Sequence, residues 1–169
     1  MYYKFVTKIL IFSVMISSLS FVNYWDPNFL DWRKIKNKVS FHLSLDKSNN
    51  YLIHLINSSE DKIYYYEIIE FGEREGFLAI AKAPSKYHHF DFFVIFNNEL
   101  KIKYVDILQY RENWGYEISN KKWLHQFSKL TKNKFGSKNQ VQAISGATIS
   151  VNSLCNYIDT MLEELEYMK

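Results

Sequence analysis

The chain has 169 residues, enough for one domain with its own core, and 47% hydrophobic against 23% charged residues excludes a disordered chain. Five Gly and two Pro exclude collagen-like and Pro/Gly-rich low-complexity sequence, and a single Cys excludes a disulfide scaffold or a multi-cysteine metal site within the chain. The 21 Lys and Arg nearly balance the 18 Asp and Glu, and the one basic cluster (Arg33, Lys34, Lys36 and Lys38) is too local for a nucleic-acid face, so no nucleic-acid partner is expected.

Residues 1–25 have the profile of an export signal. Lys4 and Lys8 supply a basic start, and residues 9–22 form an apolar run without a charge. That run is short of the ~20 residues that a spanning helix needs, although Phe5 through Trp25 nearly reaches it. Ser18-Leu19-Ser20 is a poor substitute for an A-x-A cleavage site, so a cleaved signal peptide and a retained membrane anchor both stay open. The competing reading is a buried N-terminal helix of a cytosolic protein.

Residues 26–60 form an N-terminal extension without an assigned role. Asp26-Pro27-Asn28 is a turn or helix-start signal, an amphipathic stretch runs to about Lys38, and possible strands between residues 41 and 56 are broken at Lys47-Ser48-Asn49-Asn50. The domain proper is expected over 61–169. Residues 63–69 read as a β-branched and aromatic strand, Gly72 to Gly76 as a turn, and residues 77–83 as a second strand ending before Pro84. Residues 90–96 form a third strand, so uniformly apolar that both of its faces should be covered. Asn97-Asn98 turns the chain into a fourth strand over 100–110. Trp123, Phe127 and Leu130 then mark one helical stripe, and Val151, Leu154, Cys155, Ile158, Met161, Leu162 and Leu165 a stronger one. The fold class is therefore α+β: an antiparallel meander of about four strands with helices packed against it.

Chemistry concentrates just before the last helix, at Ser145-Gly146-Ala147-Thr148-Ile149-Ser150. Small residues at a helix N-terminus expose backbone amides at the positive end of the macrodipole, where an anion and above all a phosphate is stabilised. Gly146 and Ala147 let such a group approach closely. The plainer reading makes Thr148 or Ser150 an ordinary N-cap.

Ser145-Gly146-Ala147-Thr148 with Ser150 behind it resembles the flavinylation motif of the FMN-binding domain family, which includes FMN-bearing subunits of sodium-pumping NADH:quinone reductase and of the Rnf complex. Tyr110-Arg111-Glu112-Asn113-Trp114-Gly115-Tyr116-Glu117-Ile118, followed by Lys122-Trp123-Leu124-His125-Gln126-Phe127, is similar to the block that the family places upstream. The resemblance spans residues 63–165 and is closest to small exported bacterial members. It implies FMN joined through a phosphoester to Thr148 by a flavin transferase outside the cytoplasm, with Ser145, Gly146, Ala147 and Ser150 in the motif and Gly115 and Glu117 near the flavin. It further implies an electron carrier at the periplasmic or outer face of the membrane, passing electrons between a membrane reductase or quinone and another acceptor, with no catalytic base of its own. Family members commonly carry an acid three positions before the motif Ser, where this chain has Gln142. That departure motivates a rival, a binding module of the same fold without flavin. A reductase with non-covalent FMN and a pilin-like surface protein are further alternatives.

Other residues read structurally. His88-His89 as neighbours on a strand would point to opposite faces and could not clamp one metal, so no metal site is expected. Asp91 interrupts an apolar strand and needs a partner or a sheet edge. Cys155 reads as an inert buried thiol, Tyr64-Tyr65-Tyr66 as core packing, and Asp106, Arg111 and Glu112 as charges on an exposed strand face.

Overall fold

The computed structural model of the protein describes residues 32–43, 51–59, 63–130 and 141–169. The expected export segment lies outside them. The chain divides into two compact units, Met1–Lys36 and Asn37–Lys169, and of the first only residues 32–36 are described. Helix α1 (Trp32–Leu43) is followed by five strands, β1 (Tyr51–Ser58), β2 (Tyr64–Glu70), β3 (Glu73–Pro84), β4 (His89–Asn97) and β5 (Ile102–Gln109), and the chain closes with the long helix α3 (Thr148–Met168). Among the described residues no helix is long and apolar enough to cross a membrane.

The strands form one antiparallel sheet in the order β1-β2-β3-β4-β5. The meander and the α+β class are as expected, with one strand more: β1 comes from the weakly patterned stretch ahead of residue 61. Residues 41–43, where a strand seemed possible, belong to α1. The β2–β3 connection is also tighter than the sequence suggests. Phe71 and Gly72, at φ 51° and 85°, make a two-residue turn between the partners Glu70 and Glu73. Gly76 is no turn residue but sits inside β3, where a Cβ would come within 2.1 Å of the Phe96 carbonyl oxygen.

β4 is covered on both faces, as its continuous apolar run requires, with residues 90–96 all at most 2% exposed. One face packs Phe90, Phe92, Val94 and Phe96 into the core that α3 closes. The predicted stripe on α3, from Val151 to Leu165 and including Cys155, is buried there; each fully buried Leu, Ile or Met adds about 1.5–3 kcal/mol. On the other face, Lys38 of α1 pairs with Asp106 of β5, and His42 stacks on Tyr104 with ring centroids 3.3 Å apart.

The first predicted helix is not continuous. Asn120 caps a single α-turn, α2 (Lys121–Leu124), by accepting from the Lys122 amide, and the chain tightens into a 3-10 segment, His125–Lys129, before Leu130 turns extended. Trp123 and Phe127 still point inward, rings 5.5 Å apart. The three charges expected on an open strand face are not there either. Asp106 is buried against Lys38, Arg111 reaches the buried Asp91, and Glu112 is buried beside the turn that precedes β4.

Candidate functional site

The segment before α3 is a β-turn from Ile144 to Ala147, closed by the Ala147 amide donating to the Ile144 carbonyl at 3.2 Å. Gly146, at its third position, has φ +78°, a conformation L side chains rarely adopt. Ala147 then occupies the N-cap position without a side-chain cap, and its carbonyl accepts the first helical bond from Val151. The cap reading of Thr148 and Ser150 is thus overturned. Thr148 is the first helical residue and its side chain is exposed. Ser150 is 1% exposed and turns inward, its hydroxyl bonded to those of Ser85 and Tyr110. The opening amides of α3 have no intrahelical partner, and no acid stands in its first turn.

Three neighbouring segments fix this turn. Gly115, at φ +79°, backs directly onto it: a Cβ there would lie 2.5 Å from the Ala147 Cβ. The loop after β3 is tied to α3 through Ser85 and Ser150. Glu112 in turn fixes that loop, its Oε1 accepting from the amides of Tyr87 at 2.8 Å and His88 at 2.9 Å.

The Tyr87 amide does most to hold the Glu112 carboxyl below the usual carboxylate range. Burial works against it, and the His88 amide, the Ser85 hydroxyl and the His88 charge lower it further. A carboxyl lowered on folding stabilises the fold fully above its unfolded value, near 4.5, and loses that contribution as pH falls through the lower folded value. The protection of the Tyr87 and His88 amides, taken relative to their intrinsic exchange rates at each pH, should therefore be high at neutral pH and fall below the ordinary carboxylate range. Glu112→Gln should remove that acid-side change; its persistence in the variant would assign the loosening to another group.

Two clefts flank the turn, each of about 390 Å³. Thr148, Gly146 and Ser150 face one, together with Lys86, Tyr87, Glu112 and Trp114. Ser145 and Glu117 face the other, beside Gln142. Of the residues expected at the site, Gly115 and Ala147 are thus locked together beneath the turn, while Ser145 and Glu117 fall on its far side from Thr148. Residues 87–163 match the family model of the FMN-binding domain. Over that stretch the chain is similar to that family.

The match begins at Tyr87 and takes in β4, β5, the Glu112–Glu117 segment, the turn and most of α3, while β1 to β3 of the same sheet precede it. No curated protein matches the chain. The residues present suit such a cofactor: a glycine turn that no side chain crowds, unpaired helix amides and the Lys86 ammonium answer its phosphate, and the exposed ring of Trp114 answers its apolar part. Sequence reasoning missed Ser85, Lys86, Tyr87, Tyr110, Glu112 and Trp114. Ser85, Lys86 and Tyr87 carry no pattern of their own, whereas Tyr110, Glu112 and Trp114 stood inside the upstream block. The adjacency of that block to the motif turn was the available signal.

Proposed function

We propose that the protein is an exported electron-transfer flavoprotein carrying FMN in phosphoester linkage on Thr148, installed by a flavin transferase. The observation that carries this reading is the exposed Thr148 hydroxyl at an uncapped, acid-free helix N-terminus inside the stretch similar to the FMN-binding domain family. Esterification joins the Thr148 oxygen to the FMN phosphorus with net loss of water and leaves one negative charge on the phosphodiester. The α3 amides and Lys86 stabilise that charge. Bound flavin supplies the one- and two-electron chemistry, while the chain's own part is to hold the attachment point rigid through Gly115, Ser150 and Glu112. In this reading the protein works at the periplasmic or outer face of the membrane, between a membrane reductase or quinone and a further acceptor, and is a carrier without turnover of its own.

Gln142 is compatible with attachment. Its place ahead of the turn is held by its backbone, the carbonyl accepting from Trp123 Nε1 and the amide donating to Gln126 Oε1, both at 2.8 Å, so an acid is not needed to shape this segment. The test is flavin fluorescence at the protein band of a denaturing gel, after co-expression with a flavin transferase. A fluorescent wild-type band that goes dark in Thr148→Ala is expected; a dark wild-type band, or a fluorescent variant, contradicts the reading.

A further inference from the structure

We propose that Trp114 is the platform on which the flat ring system of the cofactor stacks, an inference that rests on the FMN reading above. Trp114 is 77% exposed, whereas Trp123 is 8% exposed in the core. A large apolar ring held in water invites a planar apolar partner, since stacking removes both surfaces from solvent.

The base of this side chain is fixed. Trp114 immediately precedes Gly115, which is locked against Ala147, and the Trp114 Cβ stands 3.6 Å from the point that a Cβ on Gly146 would occupy. The indole therefore stands beside the motif turn, on the same cleft as Thr148. A flavin joined to Thr148 through its phosphate and sugar-alcohol chain would have Trp114 within reach, because both residues line one cleft.

The other exposed rings nearby are already engaged or lie elsewhere. Tyr87 has the Lys86 ammonium 4.9 Å from its ring centroid. Tyr116 packs edge-on against Tyr110 at 6.0 Å and does not line the Thr148 cleft. Among the described residues Trp114 has no aromatic neighbour.

An indole in contact with an excited flavin quenches it, by a transient electron transfer from indole to flavin that returns without net chemistry. The experiment compares fluorescence per attached flavin, folded and then unfolded in guanidinium, with attachment counted by intact mass. Wild-type protein should brighten about threefold or more on unfolding, as a stacked pair separates. Trp114→Ala should already be bright when folded, Trp114→Tyr should retain most of the quenching, and Tyr116→Leu, outside the cleft, should keep the wild-type ratio. If the transferase fails to modify Trp114→Ala, Trp114→Phe replaces it, keeping a ring but not the strong quencher, and should be bright. Flavinylated wild type and variant with the same ratio overturn the platform alone. Wild type without the added mass overturns the FMN reading, and the platform with it.

Discussion

Gly115→Ala should cost about 3 kcal/mol in a denaturant melt and lower the yield of attached flavin. Two effects add. At φ +79° a side chain is strained by about 1–2 kcal/mol, and forcing a methyl into a packed contact costs about 1–3 kcal/mol more. The new Cβ would meet the Ala147 Cβ at 2.5 Å and its Cα and N at 3.2 Å, so relief requires the turn to move away. Ala147 is the residue before Thr148, and the displacement passes directly to the attachment point. Gly146→Ala is the control. It has nearly the same φ, +78°, but only an ordinary contact with Trp114 at 3.6 Å, so its loss should be about 1–2 kcal/mol, the backbone part alone. Equal losses for the two variants would remove the close packing of Gly115 on Ala147 from the account.

Arg111→Ala should lose about 3 kcal/mol, because it strands a buried charge. Asp91 is 2% exposed on β4 and is paired with the Arg111 guanidinium, which also donates to the His89 carbonyl and to Gln109 Oε1, each at 2.8 Å. Without the guanidinium, Asp91 keeps its desolvation cost and loses its counter-charge. Arg111→Ala combined with Asp91→Asn should therefore be more stable than Arg111→Ala alone, since the stranded group is then neutral. A combined variant less stable than the single one would show that the ion pair is not what Arg111 supplies. Arg111 also adjoins Glu112, so the single variant should loosen the Tyr87–His88 amides in hydrogen exchange.

Much of the fold could be read from local pattern, because β-branched and aromatic runs and the stripe on α3 report burial directly. β1 was obscure because strand 51–58 interleaves His54, Asn57 and Ser58 with its apolar residues at the edge of the sheet. The helix expected through Trp123, Phe127 and Leu130 has the right inward residues but the wrong geometry: apolar spacing does not distinguish an α-helix from an α-turn running into 3-10. Asp106, Arg111 and Glu112 misled for a different reason. A charged residue's default is the surface, and only long-range partners (Lys38, Asp91 and the Tyr87–His88 amides) make burial tolerable. At the site, the motif itself was legible as small residues ahead of a helix. The inward turn of Ser150 was not, because a hydroxyl near a helix start satisfies a cap and a buried network equally well on paper.

The most direct measurement is the intact mass of the full-length protein co-expressed with a flavin transferase, followed by fragment mapping of the adduct. The account predicts an added mass of FMN less water, carried by the peptide containing Thr148 and missing from Thr148→Ala. An unmodified wild-type chain, or an adduct mapped to any other residue, would contradict it.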